Sequence, residues 1–163
     1  MTDALPPSAA RVQHALDAHH ASFRVVQMPA STRTAPEAAA AIGCSVAQIA
    51  KSILFKGGTT GKPILVIASG TNRVDEKVIA ERTGEQLTKA TPDFVREATG
   101  YVIGGVPPVG FPHPIETWID RDLLQHTEVW AAAGTPFTVF SLDPGALAAL
   151  TGGTVLAVAR NAS

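Results

Sequence analysis

The chain has 163 residues, of which 45% are hydrophobic and 17% are charged, and its formal net charge is −1. This length and hydrophobic share fit one folded domain and exclude disorder of the whole chain. The near-neutral charge excludes a broad electrostatic footprint on nucleic acid, so we expect no DNA partner and only local contacts with any RNA.

Signals for export or membrane insertion are absent from the sequence. Residues 1–7 have neither a basic nor an apolar leader region, and no run of eighteen apolar residues occurs. The single cysteine, Cys44, excludes an intrachain disulfide and a cysteine-rich zinc site. We therefore expect a cytoplasmic protein with no membrane partner, no metal and no cofactor.

Periodicity and caps predict the elements of the first half of the chain, after a flexible tail at residues 1–7. Thr34 and Glu37 form a capping box, and Gly43 is a natural helix stop. The predicted elements are a helix from Ser8 to His19 or His20, a strand at 23–26, a helix at 34–43, a short helix at 45–48 and a hairpin of strands at 51–56 and 63–68.

The second half alternates between helices and strands without regular order. We predict helices at 75–82, 92–99 and 143–150, and strands at 116–120, 128–131, 137–141 and 154–158. Because regular strand–helix–strand repetition is missing, residues 8–163 are predicted to form a single α+β domain. Its sheet should be mixed, mostly antiparallel and partly barrel-like, with surrounding helices.

The glycine-rich segment at 56–63 superficially resembles a phosphate-binding loop. The required first glycine is replaced by Lys56, and Pro63 stands where serine or threonine should follow Lys62. We therefore interpret this segment as the turn of the hairpin.

Lys51 begins a strand and shares its predicted face with Ile53 and Phe55. Its ammonium group should either extend into solvent or lie at the rim of a pocket, and the pattern alone favours solvent.

Residues 104–110 form an irregular segment with three glycines and the pair Pro107-Pro108. Such a loop can direct the N–H groups of Gly104, Gly105 or Val106 toward a developing oxyanion. A rigid structural connection is an equally good interpretation of the same residues.

Three segments in this order resemble the YbaK/ProX family: residues 49–55 (IAKSILF), residues 100–110 (GYVIGGVPPVG), and Ile119-Asp120. This family comprises aminoacyl-tRNA deacylases and the related editing insertion of bacterial prolyl-tRNA synthetases. The resemblance extends from about Val12 to Val158. It implies a YbaK/ProX-like fold and a freestanding hydrolase that acts on the acceptor end of mischarged tRNA, with prolyl-tRNA synthetase as a partner.

The resemblance also implies roles for individual residues. Lys51 matches the lysine regarded as essential in the family. Relatives specific for cysteine tend to carry Ser-Gly-Gly and then an acidic residue where this chain has residues 132–138 without an acid, which favours another small amino acid. The implied substrate-binding residues are Gly104, Gly105, Val106, Pro107, Pro108, Gly110, Ala132, Ala133 and Gly134.

Two alternatives remain open at this point. The chain could be a non-catalytic module that binds aminoacylated tRNA ends or a synthetase, or an α+β protein that binds an unrelated small molecule. Asp120 could contact substrate or brace the sheet, and we favour bracing.

Overall fold

The computed structural model describes residues 4–19 and 23–160, which fold into five α-helices and eight strands of one sheet. The helices are α1 (Pro7–Asp17), α2 (Ala35–Ile42), α3 (Glu76–Thr83), α4 (Pro92–Thr99) and α5 (Ala146–Thr151). The strands are β1 (Val26–Gln27), β2 (Ile49–Gly57), β3 (Pro63–Ser69), β4 (Leu87–Lys89), β5 (Glu116–Asp120), β6 (Val129–Ala132), β7 (Thr138–Leu142) and β8 (Thr154–Leu156).

The sheet is mixed, as the sequence predicted. Its strand order is β1-β7-β6-β2-β3-β5-β8, and β4 pairs with the free part of β2. Strands β2 and β3 form the predicted antiparallel hairpin, in which Lys51 lies opposite Ala68, while β2 runs parallel to β6. Because β1 and β8 lie at opposite ends and are not paired with each other in the described residues, the sheet is not closed.

Strand β3 lies at the centre of the core and is buried on both faces. Leu65 and Ile67 pack with residues of α1, α4 and α5, whereas Ile64 and Val66 pack with Ile79 of α3. A strand covered on both sides needs apolar residues at every position, which explains the continuous hydrophobic run at 63–68.

The turn between β2 and β3 confirms the hairpin interpretation of the glycine-rich segment. The backbone N–H groups of Thr59 and Thr60 donate to the carboxylate of Glu85, at 3.0 and 2.6 Å. These N–H groups of the turn therefore bind a carboxylate of the protein itself.

Several local predictions differ from the structure. The strand predicted at 23–26 is replaced by a two-residue strand, Val26–Gln27, which shares only Val26 with it. The Gln13 side chain bonds the backbone of Phe23 and Val25 and takes the place of strand pairing there. The last helix begins at Ala146, since Asp143 Oδ1 accepts from the N–H of Gly145 in a turn before it. Strand β4 was not predicted.

Helix α1 already begins at Pro7, and His20 lies outside the described residues. Within the described residues, none of the helices has the length and apolar character needed to cross a membrane.

Candidate active site

A cavity of about 200 Å³ lies where β2, β6 and the loop at 104–110 meet. Lys51 and Ser52 of β2 line it, together with Gly104 and Val106 of the loop and Ala132 at the end of β6. We call it the Lys51 cavity.

Lys51 is half-buried at this cavity, and its Nζ donates to the carbonyl of Gly70 at 3.4 Å. Burial lowers the pKa of Lys51 below its usual 10.5, and the positive charge of Arg73 lowers it further, while Asp120 acts in the opposite direction. The preference for a solvent-exposed lysine is therefore wrong. Lys51 lies near the start of β2 and lines the same cavity as Gly104 and Val106, and strand periodicity alone does not reveal that these residues come together.

The glycine–proline loop (residues 104–110) packs directly on the small-residue turn (residues 132–134). The N–H of Gly134 donates to the carbonyl of Gly105 at 2.9 Å. A Cβ on Gly105 would lie 2.8 Å from the backbone of Thr135, so only glycine allows this close approach. Two segments that are distant in sequence, both predicted as substrate-binding, are thus held together by backbone contact.

The structure reduces the set of backbone donors available to an oxyanion. The N–H of Gly105 is occupied by a 3.0 Å hydrogen bond to the carbonyl of Val102. The N–H groups of Gly104 and Val106 have no hydrogen-bond partner within the described part of the chain. Both residues line the Lys51 cavity, so the predicted three donors reduce to these two.

The predicted residues divide into those that line the Lys51 cavity and those that do not. Lys51, Gly104, Val106 and Ala132 line it. Pro108 and Gly110 line a different cavity, next to α1. The remaining predicted residues, which are buried and do not line the Lys51 cavity, are Gly105, Pro107, Ala133 and Gly134.

The carboxylate of Asp120 forms hydrogen bonds within the protein that brace the sheet. Asp120 is fully buried, and its carboxylate accepts from the N–H of Ser69 at 3.0 Å, the side chain of Asn72 at 2.9 Å and the N–H of Asp122 at 2.9 Å. These bonds tie the ends of β3 and β5 together.

Sequence reasoning missed several residues of the cavity: Thr32, Arg33 and Trp130. The Arg33 side chain lies over Gly104, where a Cβ would be 2.6 Å from its Cγ. Thr32 is held by hydrogen bonds to the carbonyl of Pro136. Thr32 and Arg33 lie in the irregular segment before α2, where no periodic signal could have placed them, whereas Trp130 lies on β6, whose strand was predicted without its contact to the cavity.

Cys44 does not line the cavity but packs with α2, and burial raises the pKa of its thiol. It therefore lacks the environment of a reactive cysteine. The described residues contain no group of three or more histidine, cysteine or acidic side chains placed to share a metal ion.

Comparison with known proteins identifies the family. The aminoacyl-tRNA editing domain family matches residues 29–150, which include Lys51 and both cavity loops. The chain belongs to this family. The family resemblance, the mixed α+β fold and the aminoacyl-tRNA deacylase class of activity predicted from the sequence are thereby confirmed.

Among three relatives of this editing domain, two have names that concern trans-editing or deacylation of tRNA. A crystal structure described as a candidate trans-editing enzyme for prolyl-tRNA synthetase is 48% identical, with a TM-score of 0.91 over 97% of this chain and 100% of that chain. The uncharacterised protein YwhH of Bacillus subtilis (strain 168) is 34% identical over 74% of this chain and 76% of its own length. A candidate Cys-tRNA(Pro)/Cys-tRNA(Cys) deacylase, EbsC of Enterococcus faecalis (strain ATCC 700802 / V583), is 27% identical over 74% of this chain and 73% of its own length.

Proposed function

We propose that this editing domain is a freestanding trans-editing hydrolase that deacylates tRNA-Pro carrying a small non-cognate amino acid. The observation that carries the proposal is the half-buried Lys51 at a small cavity with the unpaired N–H groups of Gly104 and Val106. The relatives described as acting with prolyl-tRNA synthetase or on Cys-tRNA(Pro) support the choice of tRNA. We place the reaction in the cytoplasm and assign it to residues 8–163.

In the proposed reaction, water attacks the carbonyl carbon of the ester between the amino acid and the terminal ribose. A bond forms from the water oxygen to that carbon, and the bond from the carbon to the ribose oxygen breaks. The ribose oxygen takes the proton that the water gives up, and a free amino acid leaves. The N–H groups of Gly104 and Val106 stabilise the oxyanion, an effect worth about 3 kcal/mol for each well-placed donor. The Lys51 ammonium binds the carbonyl region or the adjacent phosphate.

Selectivity in this proposal comes from the size of the Lys51 cavity. A volume of about 200 Å³ admits a small aminoacyl group. Because one methylene changes discrimination by only about 10–200-fold, neighbouring aliphatic residues should be separated modestly. The missing acid after residue 134 favours alanine or 2-aminobutyrate over cysteine.

The test is hydrolysis of tRNA-Pro charged with alanine, serine, cysteine or 2-aminobutyrate. We expect turnover by the wild type, and a loss of at least about a hundredfold in Lys51→Ala, because a charge-stabilising group at the ester is removed. Lys56→Ala is the matched control, since Lys56 is an exposed lysine of the same strand that does not line the cavity.

We expect Lys56→Ala to keep wild-type activity. If none of the four substrates is hydrolysed, the proposed function fails and a non-catalytic binding module takes its place. If Lys51→Ala is fully active, the assigned role of Lys51 fails.

A further inference from the structure

A second cavity, of about 400 Å³, adjoins the Lys51 cavity. Its lining is mostly apolar and includes Leu54, Ala90 and Val95 of one core cluster, and the exposed residue Lys89 is also among the lining residues. We call it the apolar cavity. Aliphatic walls can pack against the faces of a nucleobase, and a lysine nearby can bind its phosphate.

The two cavities share part of their walls. Ser52, Ile103, Gly104 and Val106 line both of them. A ligand that occupies both cavities must therefore pass these four residues.

Ser52 carries an unsatisfied polar group at this junction. Its Oγ is buried and has no hydrogen-bond partner in the described residues, and it is the only side-chain atom there with that property. A buried hydroxyl without a hydrogen-bond partner destabilises a protein, because it has lost its hydrogen bonds to water. A bound ligand with a polar group at the junction would satisfy it.

We propose that the terminal nucleoside of the aminoacyl-tRNA binds in the apolar cavity, and that the Ser52 hydroxyl makes a hydrogen bond to the free ribose hydroxyl at the junction. This inference rests on the proposed function. The aminoacyl group then occupies the Lys51 cavity and the base occupies the apolar cavity. The ribose, which links them, lies between the two, where Ser52 is.

The first test fills the apolar cavity by Ala90→Leu. AMP is titrated against the wild type and the variant by calorimetry, a readout that needs no turnover. We expect the wild type to bind AMP and the variant to bind at least about tenfold more weakly, with KM for alanyl- and cysteinyl-tRNA-Pro raised by one common factor.

The outcomes of this test show whether the nucleoside or the amino-acid side chain occupies the apolar cavity. If Ala90→Leu changes the preference between alanine and cysteine, the amino-acid side chain occupies the apolar cavity and the inference is overturned. If AMP binding and KM are both unchanged, the cavity is not used, which also overturns it. If the wild type binds AMP normally but hydrolyses none of the substrates, the proposed function fails while the nucleoside site stands.

The second test removes the hydroxyl by Ser52→Ala. We expect kcat/KM to fall about three- to tenfold, the effect of one neutral hydrogen bond. On a substrate whose terminal ribose lacks its free hydroxyl, the variant and the wild type should have the same kcat/KM, because the group that Ser52 would bond is missing from both reactions. Ser52→Thr, which keeps a hydroxyl, should restore most of the activity.

A stability measurement distinguishes this role from a structural one. Because the Ser52 hydroxyl has no partner among residues 4–19 and 23–160, Ser52→Ala should unfold at the same temperature as the wild type or higher. The control is Ser69→Ala on the paired strand, which should unfold at a lower temperature because the Ser69 Oγ donates to the Ala47 carbonyl at 2.7 Å. A lowered melting temperature in Ser52→Ala, or an equal loss on both substrates, would overturn the assignment.

Discussion

Lys51 and Lys56 belong to the same strand but have different surroundings. Lys56 is exposed, and its ammonium lies 5.3 Å from the ring centroid of Phe94. Lys51 is half-buried beside the carbonyl of Gly70 and the charge of Arg73. The pKa of Lys51 is lowered by these surroundings, above all by burial. The surroundings of each lysine are therefore set by its position in the fold and not by the strand to which it belongs.

The lowered pKa of Lys51 predicts a pH-dependent effect on stability. Between the folded pKa and the unfolded value of 10.5, the unfolded chain binds more protons, so stability rises with pH through that window. Below the window, charged Lys51 destabilises the fold. We expect Lys51→Met to have a higher denaturation midpoint than the wild type at pH 7, with the difference shrinking as the pH approaches 10.5.

Urea denaturation of both proteins at a series of pH values measures this. A Lys51→Met variant that is less stable than the wild type at pH 7 would contradict the prediction.

At the scale of elements, the site depends on the contact between the glycine–proline loop and the small-residue turn. That contact is made by backbone atoms, through the bond from Gly134 to Gly105. The far end of the loop is fixed by the Tyr101 hydroxyl, which donates to the carbonyl of Gly110 at 2.9 Å. The loop is thus held at both ends, which keeps Gly104 and Val106 beside Lys51.

Gly105→Ala should separate these two elements, because the added methyl group meets the backbone of Thr135. We expect a loss of about 1–3 kcal/mol in the free energy of unfolding, as for other overpacked positions, together with reduced deacylation. Gly145→Ala is the control. Gly145 has a helical φ of −62°, so alanine should change stability by only a few tenths of a kcal/mol there.

Thermal and urea unfolding of the two variants test this difference. Equal stability of the two variants would show that the loop can retreat from the turn without loss.

The turn between β2 and β3 is held by hydrogen bonds to the carboxylate of Glu85. Hydrogen bonds from Thr60 and Thr59, with the nearby charge of Lys62, lower the pKa of Glu85 despite an opposing effect of burial. This carboxylate therefore stabilises the fold above its unfolded pKa, and the contribution is lost as the pH falls toward the lowered folded pKa. We expect Glu85→Gln to be less stable at pH 7 and to lose less stability than the wild type on acidification.

The measurement is the urea denaturation midpoint of both proteins, plotted against pH on the acidic side of pH 7. If the midpoints of the two proteins fall in parallel as the pH is lowered, Glu85 is not responsible for the acid sensitivity of the fold.

At the scale of the whole molecule, the balance of charge limits how the protein can hold tRNA. The formal net charge is −1, and the cations at or beside the Lys51 cavity are Lys51, Arg33 and Arg73. We expect a shallow salt dependence for tRNA binding, with a slope of no more than about three in log K against log salt. Binding isotherms at several salt concentrations measure the slope, and a value of six or more would require a much wider cationic surface.

The sequence predicted elements whose signals are local. Helix α4 begins after the cap Thr91, whose hydroxyl accepts from the N–H of Phe94, and it ends at Gly100. Strand β5 matched the prediction at both ends. Strand β4 was missed because its three residues carry no pattern of their own and exist through pairing with β2.

The sequence by itself determined the family and pointed to Lys51 and the glycine–proline loop as candidates for its site, because these depend on short motifs that glycine geometry and charge make recognisable. Tertiary structure alone decided which of those residues share a cavity. It also decided that the N–H of Gly105 donates to the carbonyl of Val102, and that Ser52 lines two cavities. The reason is physical. Motifs report local backbone and charge requirements, whereas a cavity is the space left between segments that are distant along the chain.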